Sequence, residues 1–137
     1  MEELRDIAQF RSARFSPLLP DESQVNPGVY GAELAFWLCA ELAALGITTS
    51  YPVSEDWGWF IEYAAASGAE FAVHCGNVQG ETNLWLLSLR RFGRKLLGRD
   101  KPPYSQADRL VVGIQTLLMR TPYISELEWL YPEHAMT

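Results

Sequence analysis

With 137 residues, 48% of them hydrophobic and 20% charged, the chain has room for one globular domain (residues 1–137) and lacks the composition of a disordered one. No stretch reaches the roughly 18 consecutive apolar residues that span a bilayer, and Met1-Glu2-Glu3-Leu4-Arg5-Asp6 lacks the apolar region of a secretion signal, so the cytoplasm is the expected location. The net charge of −6 is uneven, with −9 on residues 1–89, +5 on residues 90–101 and −2 on residues 102–137, so the acidic body should repel nucleic acid at long range.

Ile7 to Phe15 reads as a first strand, although its alternation of Ala8, Phe10 and Ser12 against Gln9, Arg11 and Ala13 is poor. Pro17 and Pro20 end it. A helix follows, with Asn26 as N-cap, Pro27 in its first turn and Gly46 as its stop. Leu34, Leu38, Leu42 and Leu45 recur at spacings of four, four and three, which places them on one helical face.

Period-two alternation then marks four strands: Ile47, Thr49 and Tyr51; Trp57, Trp59, Ile61 and Tyr63; Phe71, Val73 and Cys75; and Trp85, Leu87 and Leu89. If all four sets face one core, Trp59 pairs with Cys75, Ile61 with Val73 and Tyr63 with Phe71 around the loop Ala66-Ser67-Gly68. By the same logic Cys75 pairs with Trp85, Val73 with Leu87 and Phe71 with Leu89. That leaves Gln79-Gly80-Glu81 at the tip and sets Glu70 opposite Arg90. A one-residue slip in either hairpin would scatter the aromatics over both faces.

Beyond Phe92 the pattern breaks into a loop. Ser105 and Asp108 suggest a capping box opening a second helix, with Ala107, Leu110, Val111, Ile114 and Leu118 on its buried face. Thr121-Pro122 ends that helix. Ser125-x-x-Glu128 suggests a last short turn carrying Leu127 and Trp129. The order β-α-β-β-β-β-α describes an α+β two-layer sandwich, a mainly antiparallel sheet with two helices on one face.

Two helices on the tryptophan face would leave the other face bare, displaying Gly58, Phe60, Glu62, Ala72, His74, Gly76, Leu84, Leu86, Ser88 and Arg90. Its apolar part, Phe60 and Leu86 around His74, would suit an interface with another protein or with a second copy of the chain. Glu62 lies diagonal to His74, a pairing that could serve general acid/base chemistry. No nucleophile is evident beside it, however, because Cys75 points to the opposite face, and a metal site lacks a third ligand. Glu55 and Asp56, in the turn before the tryptophan strand, could bind a cation, accept a partner's arginines or simply bond their own backbone. Cys39 and Cys75 form neither a disulfide framework nor a zinc site, and no motif calls for a cofactor. The basic segment from Arg90 to Lys101 could contact phosphates, or pair internally with the acidic body.

Tyr30-Gly31-Ala32-Glu33-Leu34-Ala35, through Leu42, Gly46 and Pro52 to Glu55-Asp56-Trp57-Gly58-Trp59, resembles a group of small bacterial proteins to which no activity is assigned. In these a helix ending in glycine runs into a Pro-x-x-Glu-Asp-Trp-Gly-Trp turn and strand. The resemblance spans Tyr30 to Tyr63 and implies a bacterial source and a shared fold, without a chemistry. The leading expectation is a non-enzymatic protein-binding module of the inhibitor or immunity type, using Glu55, Asp56, Phe60, Glu62, His74 and Leu86. The alternatives are a small enzyme built on Glu62 and His74, and, ranked last, a nucleic-acid binder using residues 90–101.

Overall fold

The computed structural model describes residues 4–15, 31–55, 58–78, 83–91 and 103–131. In chain order the elements are β1 (Leu4–Arg11), α1 (Ala32–Ala44), β2 (Val53–Glu55), β3 (Gly58–Ala64), β4 (Glu70–Asn77) and β5 (Leu84–Arg91). A 3-10 turn (Tyr104–Ala107) then leads into α2 (Asp108–Arg120) and β6 (Ser125–Trp129). The strands form one antiparallel six-stranded sheet in the order β2-β3-β4-β5-β1-β6, and both helices pack on one of its faces. The α+β architecture expected from the sequence is present, with one strand more than expected. No described helix is long and apolar enough to cross a membrane.

The core lies between the helices and the sheet. Leu34, Leu38 and Leu42 of α1 and Leu110, Val111, Ile114, Leu117 and Leu118 of α2 meet Phe10, Ile61, Phe71, Val73, Trp85, Leu87 and Leu89 from the strands. Trp85 is fully buried there and its indole N–H donates to the Ser12 carbonyl at 3.1 Å, so the ring is packed without orphaning its one polar atom. Trp59 faces the same side, half-buried, with its ring 6.2 Å from Phe36. Trp57, Asn26 and Pro27 lie outside the described residues.

Glycine fixes both ends of α1. Gly31 sits at φ +125°, and a Cβ there would fall 2.2 Å from the Cys75 carbonyl oxygen, so only glycine lets the helix begin against β4. At the other end the Ile47 N–H donates to the Leu42 carbonyl and the Gly46 N–H to the Ala43 carbonyl, both at 2.9 Å, with Gly46 at φ +84°. This is the Schellman arrangement, and it delivers Ile47 directly into the core.

Strand registers separate what periodicity decides from what it leaves open. The β3–β4 hairpin pairs Trp59 with Cys75, Ile61 with Val73 and Tyr63 with Phe71, as alternation predicts. The β4–β5 hairpin is shifted by two residues: Cys75 faces Leu87, Val73 faces Leu89 and Phe71 faces Arg91, while Arg90 faces Ala72 instead of Glu70. A shift of two preserves which face each side chain occupies, so core formation cannot distinguish the two registers. The expected tip Gln79-Gly80-Glu81 lies outside the described residues; below it, the Val78 N–H donates to the Leu84 carbonyl at 2.8 Å.

Four other expectations need correction. The first strand is Leu4–Arg11, and its poor alternation reflects a bulge between Asp6 and Ala8 that buries both Ile7 and Ala8. The strand after α1 is Val53–Glu55, not Ile47–Tyr51. Before it the chain follows β3 through one backbone bond, Ser50 N–H to the Glu62 carbonyl (2.8 Å), while the Ser50 hydroxyl oxygen accepts the Glu62 N–H (2.9 Å). Ser105 belongs to the 3-10 turn and makes no capping bond to α2. Finally, Ser125–Trp129 is the edge strand β6 and not a helical turn: Leu127 and Trp129 turn toward the core while Glu126 and Glu128 are exposed. A register shift between Gln9 and Arg11, with Glu126 at φ +51°, kinks this edge and discourages pairing with another chain.

Candidate functional site

The sheet face opposite the helices is not bare. Phe60, Ala72, His74 and Ser88 are all buried, each with 5% exposure or less. The registers explain how. Val53, Phe60, His74, Ser88 and Asp6 are successive cross-strand neighbours, one from each of β2, β3, β4, β5 and β1. The Phe60 ring stacks on His74 with centroids 5.6 Å apart and planes at 26°, and the Ser88 hydroxyl donates to Asp6 Oδ1 at 2.9 Å. Arg90, opposite small Ala72, places its guanidinium 5.6 Å from the centre of the Phe60 ring. Cross-strand packing and the arginine over Phe60 contribute to the burial of the middle of the face.

This changes the standing of the residues singled out in the sequence. Phe60 and His74 are packing residues at the centre of the row, while Leu86 is half-buried beside them. Leu86, Leu4, His74, Gly76 and Ser88 contribute to the lining of a small cavity of about 140 Å³. Glu62, exposed, lines a different cleft. Of the two described cavities, the proposed acid/base partners line one each. Glu55 ends β2 opposite Gly58, and Asp56 lies outside the described residues.

The corrected register brings Ser88 opposite His74, a hydroxyl that sequence reasoning missed because its assumed register was two residues off. Asp6, His74 and Ser88 are the residue types of a hydrolytic triad, but in an unsuitable order. The serine proton is directed at the aspartate, with the histidine on the serine's other side, whereas nucleophilic activation needs the histidine between them. Cys75 is no substitute nucleophile: it points into the core, and burial pushes its thiol well above the usual cysteine range.

A larger concavity lies toward the β2 edge. Thr48, Thr49, Ser50, Glu62, Tyr63, Ala64, Glu70 and Phe71 enclose about 370 Å³ where β2 stops short and the residues after Gly46 run beside β3. Glu62 faces Ala72 and Glu70 faces Ala64, so the two carboxylates are diagonal neighbours on one face. Both are exposed, and neither forms an ion pair among the described residues.

The described arginines, by contrast, are engaged. Arg5 and Arg91 lie over Tyr104, Arg90 over Phe60, and Arg109 donates to the Gly46 carbonyl (2.9 Å). Arg11, Arg14 and Arg120 approach Glu126, Glu33 and Glu41 at 3.5, 3.8 and 3.9 Å. Arg90 and Arg91, which open the basic segment, are thus half-buried against aromatic rings; Phe92 to Lys101 and His134 lie outside the described residues. No three His, Cys, Asp or Glu side chains gather at one point among the described residues. Two carboxylates beside threonine and serine hydroxyls best suit an organic cation such as a lysine or arginine head.

Comparison with family models, with curated proteins and with solved structures finds no match to this chain.

Proposed function

We propose that this protein is a non-enzymatic binding module that takes a basic segment of another protein at the β2-edge cleft, in the manner of an inhibitor. The observation that carries the reading is the contrast between Glu62 and Glu70, which form no ion pair among the described residues, and the described arginines, all engaged elsewhere. Tyr51, 82% exposed, and Val53 continue the chain from the cleft wall and offer apolar contact beside the charges. The net charge of −6 favours a basic partner over a second copy of the same acidic chain and speeds its approach.

The test is fluorescence anisotropy with a labelled lysine-rich decapeptide, using the full chain and its Glu62→Gln/Glu70→Gln variant. Binding should weaken with salt, and the double variant should lose about tenfold in affinity. Equal affinity of both proteins for the peptide, or equal binding of its fully acetylated form, would remove the cleft from consideration. A dimer in light scattering would instead favour self-association through the sheet, the other arrangement expected from the sequence.

A further inference from the structure

A second polar cluster lies on the helix side, where the start of β1 and the end of β5 meet the 3-10 turn. Arg5 and Arg91 are diagonal neighbours on the sheet, and their guanidinium carbons lie 4.1 and 4.3 Å from the centre of the Tyr104 ring. Arg5 is also 5.6 Å from the centre of Tyr131. Tyr131 meets Tyr104 edge-on at 6.4 Å and Trp129 at 6.4 Å. Asp108, the first residue of α2, acts electrostatically on Tyr131.

Four polar atoms here are buried and have no hydrogen-bond partner among the described residues: the Tyr104 and Tyr131 hydroxyls, Trp129 Nε1 and Asp108 Oδ1. Tyr104 and Tyr131 are only 8% and 2% exposed. Orphaned buried polar groups are costly, and four within one cluster mark a place built to hold something polar. Burial pushes the Tyr131 phenol up to about 12, with Asp108 and Tyr104 adding to the shift and Arg5 and Arg91 opposing it, so it remains a donor at neutral pH. Burial likewise raises the Asp108 carboxyl.

We propose that this cluster is a binding site for a phosphate group, held by Tyr104, Tyr131 and Trp129 as donors beside Arg5 and Arg91. Two guanidinium charges against one carboxylate favour an anion, and three neutral donors, one from the 3-10 turn and two from the end of β6 and just beyond it, suit a tetrahedral oxyanion better than a flat one. Asp108 then selects among oxyanions. Its unpaired oxygen needs a hydrogen to accept, and inorganic phosphate carries a proton near neutral pH where sulfate carries none, while a monoester carries one mainly below about pH 6. The site is separate from the β2-edge cleft and does not depend on what binds there.

The test is thermal unfolding of the full chain in sodium phosphate, sodium sulfate or sodium chloride at matched ionic strength. Phosphate at about ten times its Kd should raise Tm by about 4 °C, and sulfate should do much less. Arg91→Gln and Tyr131→Phe should each reduce the phosphate shift, whatever they do to the unliganded Tm. Asp108→Asn, which replaces an acceptor with an amide donor, should bring the sulfate shift up toward that of phosphate. O-phospho-L-serine distinguishes the sources: a shift matching phosphate supports a monoester ligand, and a shift for inorganic phosphate alone supports the free ion. Identical Tm values in all three salts would overturn the site, as would a phosphate shift unchanged by both Arg91→Gln and Tyr131→Phe.

Discussion

The two faces of the sheet bury their side chains by different means. On the helix side Trp85, Leu87 and Leu89 disappear beneath α1 and α2, apolar against apolar. On the reverse side Phe60, His74 and Ser88 are nearly as well buried, yet they stand outside the main core cluster and are held by neighbours in a row across the strands. A sheet face therefore need not be open because no described helix packs on it. The consequence is functional: the middle of the face expected to be open is buried, and a larger concavity than the one beside His74 lies at the edge, where β2 is only three residues long.

Substitutions should rank the two faces. Trp85→Ala removes the largest fully buried side chain and orphans the Ser12 carbonyl, so a loss of about 4 kcal/mol is expected in denaturant unfolding. Phe60→Ala should cost less, about 3 kcal/mol, because one side of its ring packs on the polar His74 instead of on aliphatic groups. A value at or above that of Trp85→Ala would make the reverse face a second core and end the distinction. Ser88→Ala should cost about 1–2 kcal/mol, the worth of a hydrogen bond to a carboxylate, and double-mutant analysis with Asp6→Asn should show that the two effects are coupled. Simple additivity would mean that the transverse row is not a cooperative unit.

The sequence made the side-chain faces legible and the pairings only partly so. Alternation in Trp59-Ile61-Tyr63 and Phe71-Val73-Cys75, closed by a short loop ending in Gly68, leaves one sensible register, and the structure has it. In the β4–β5 hairpin the loop carries no comparable restraint, and a slip of two residues costs nothing in facing, so Ser88 could not be placed opposite His74. The bulge at Asp6–Ala8 breaks the period of β1, and the five residues of β6 are too few for alternation to outweigh a capping-like Ser125-x-x-Glu128. Glu62 was legible as a candidate, beside His74 and not in the edge cleft. Glu70 was not, because its companionship with Glu62 depends on the hairpin, and its lack of an ion pair among the described residues depends on the register that sets Arg90 opposite Ala72.

The most direct measurement is an amide chemical-shift map of the uniformly labelled protein titrated with the lysine-rich decapeptide. The account predicts perturbations concentrated at Thr48–Ser50, Glu62–Ala64 and Glu70–Phe71, the walls of the edge cleft. Perturbations centred instead on His74, Leu86 and Ser88, with the cleft residues unmoved, would return the binding surface to the middle of the sheet and contradict it.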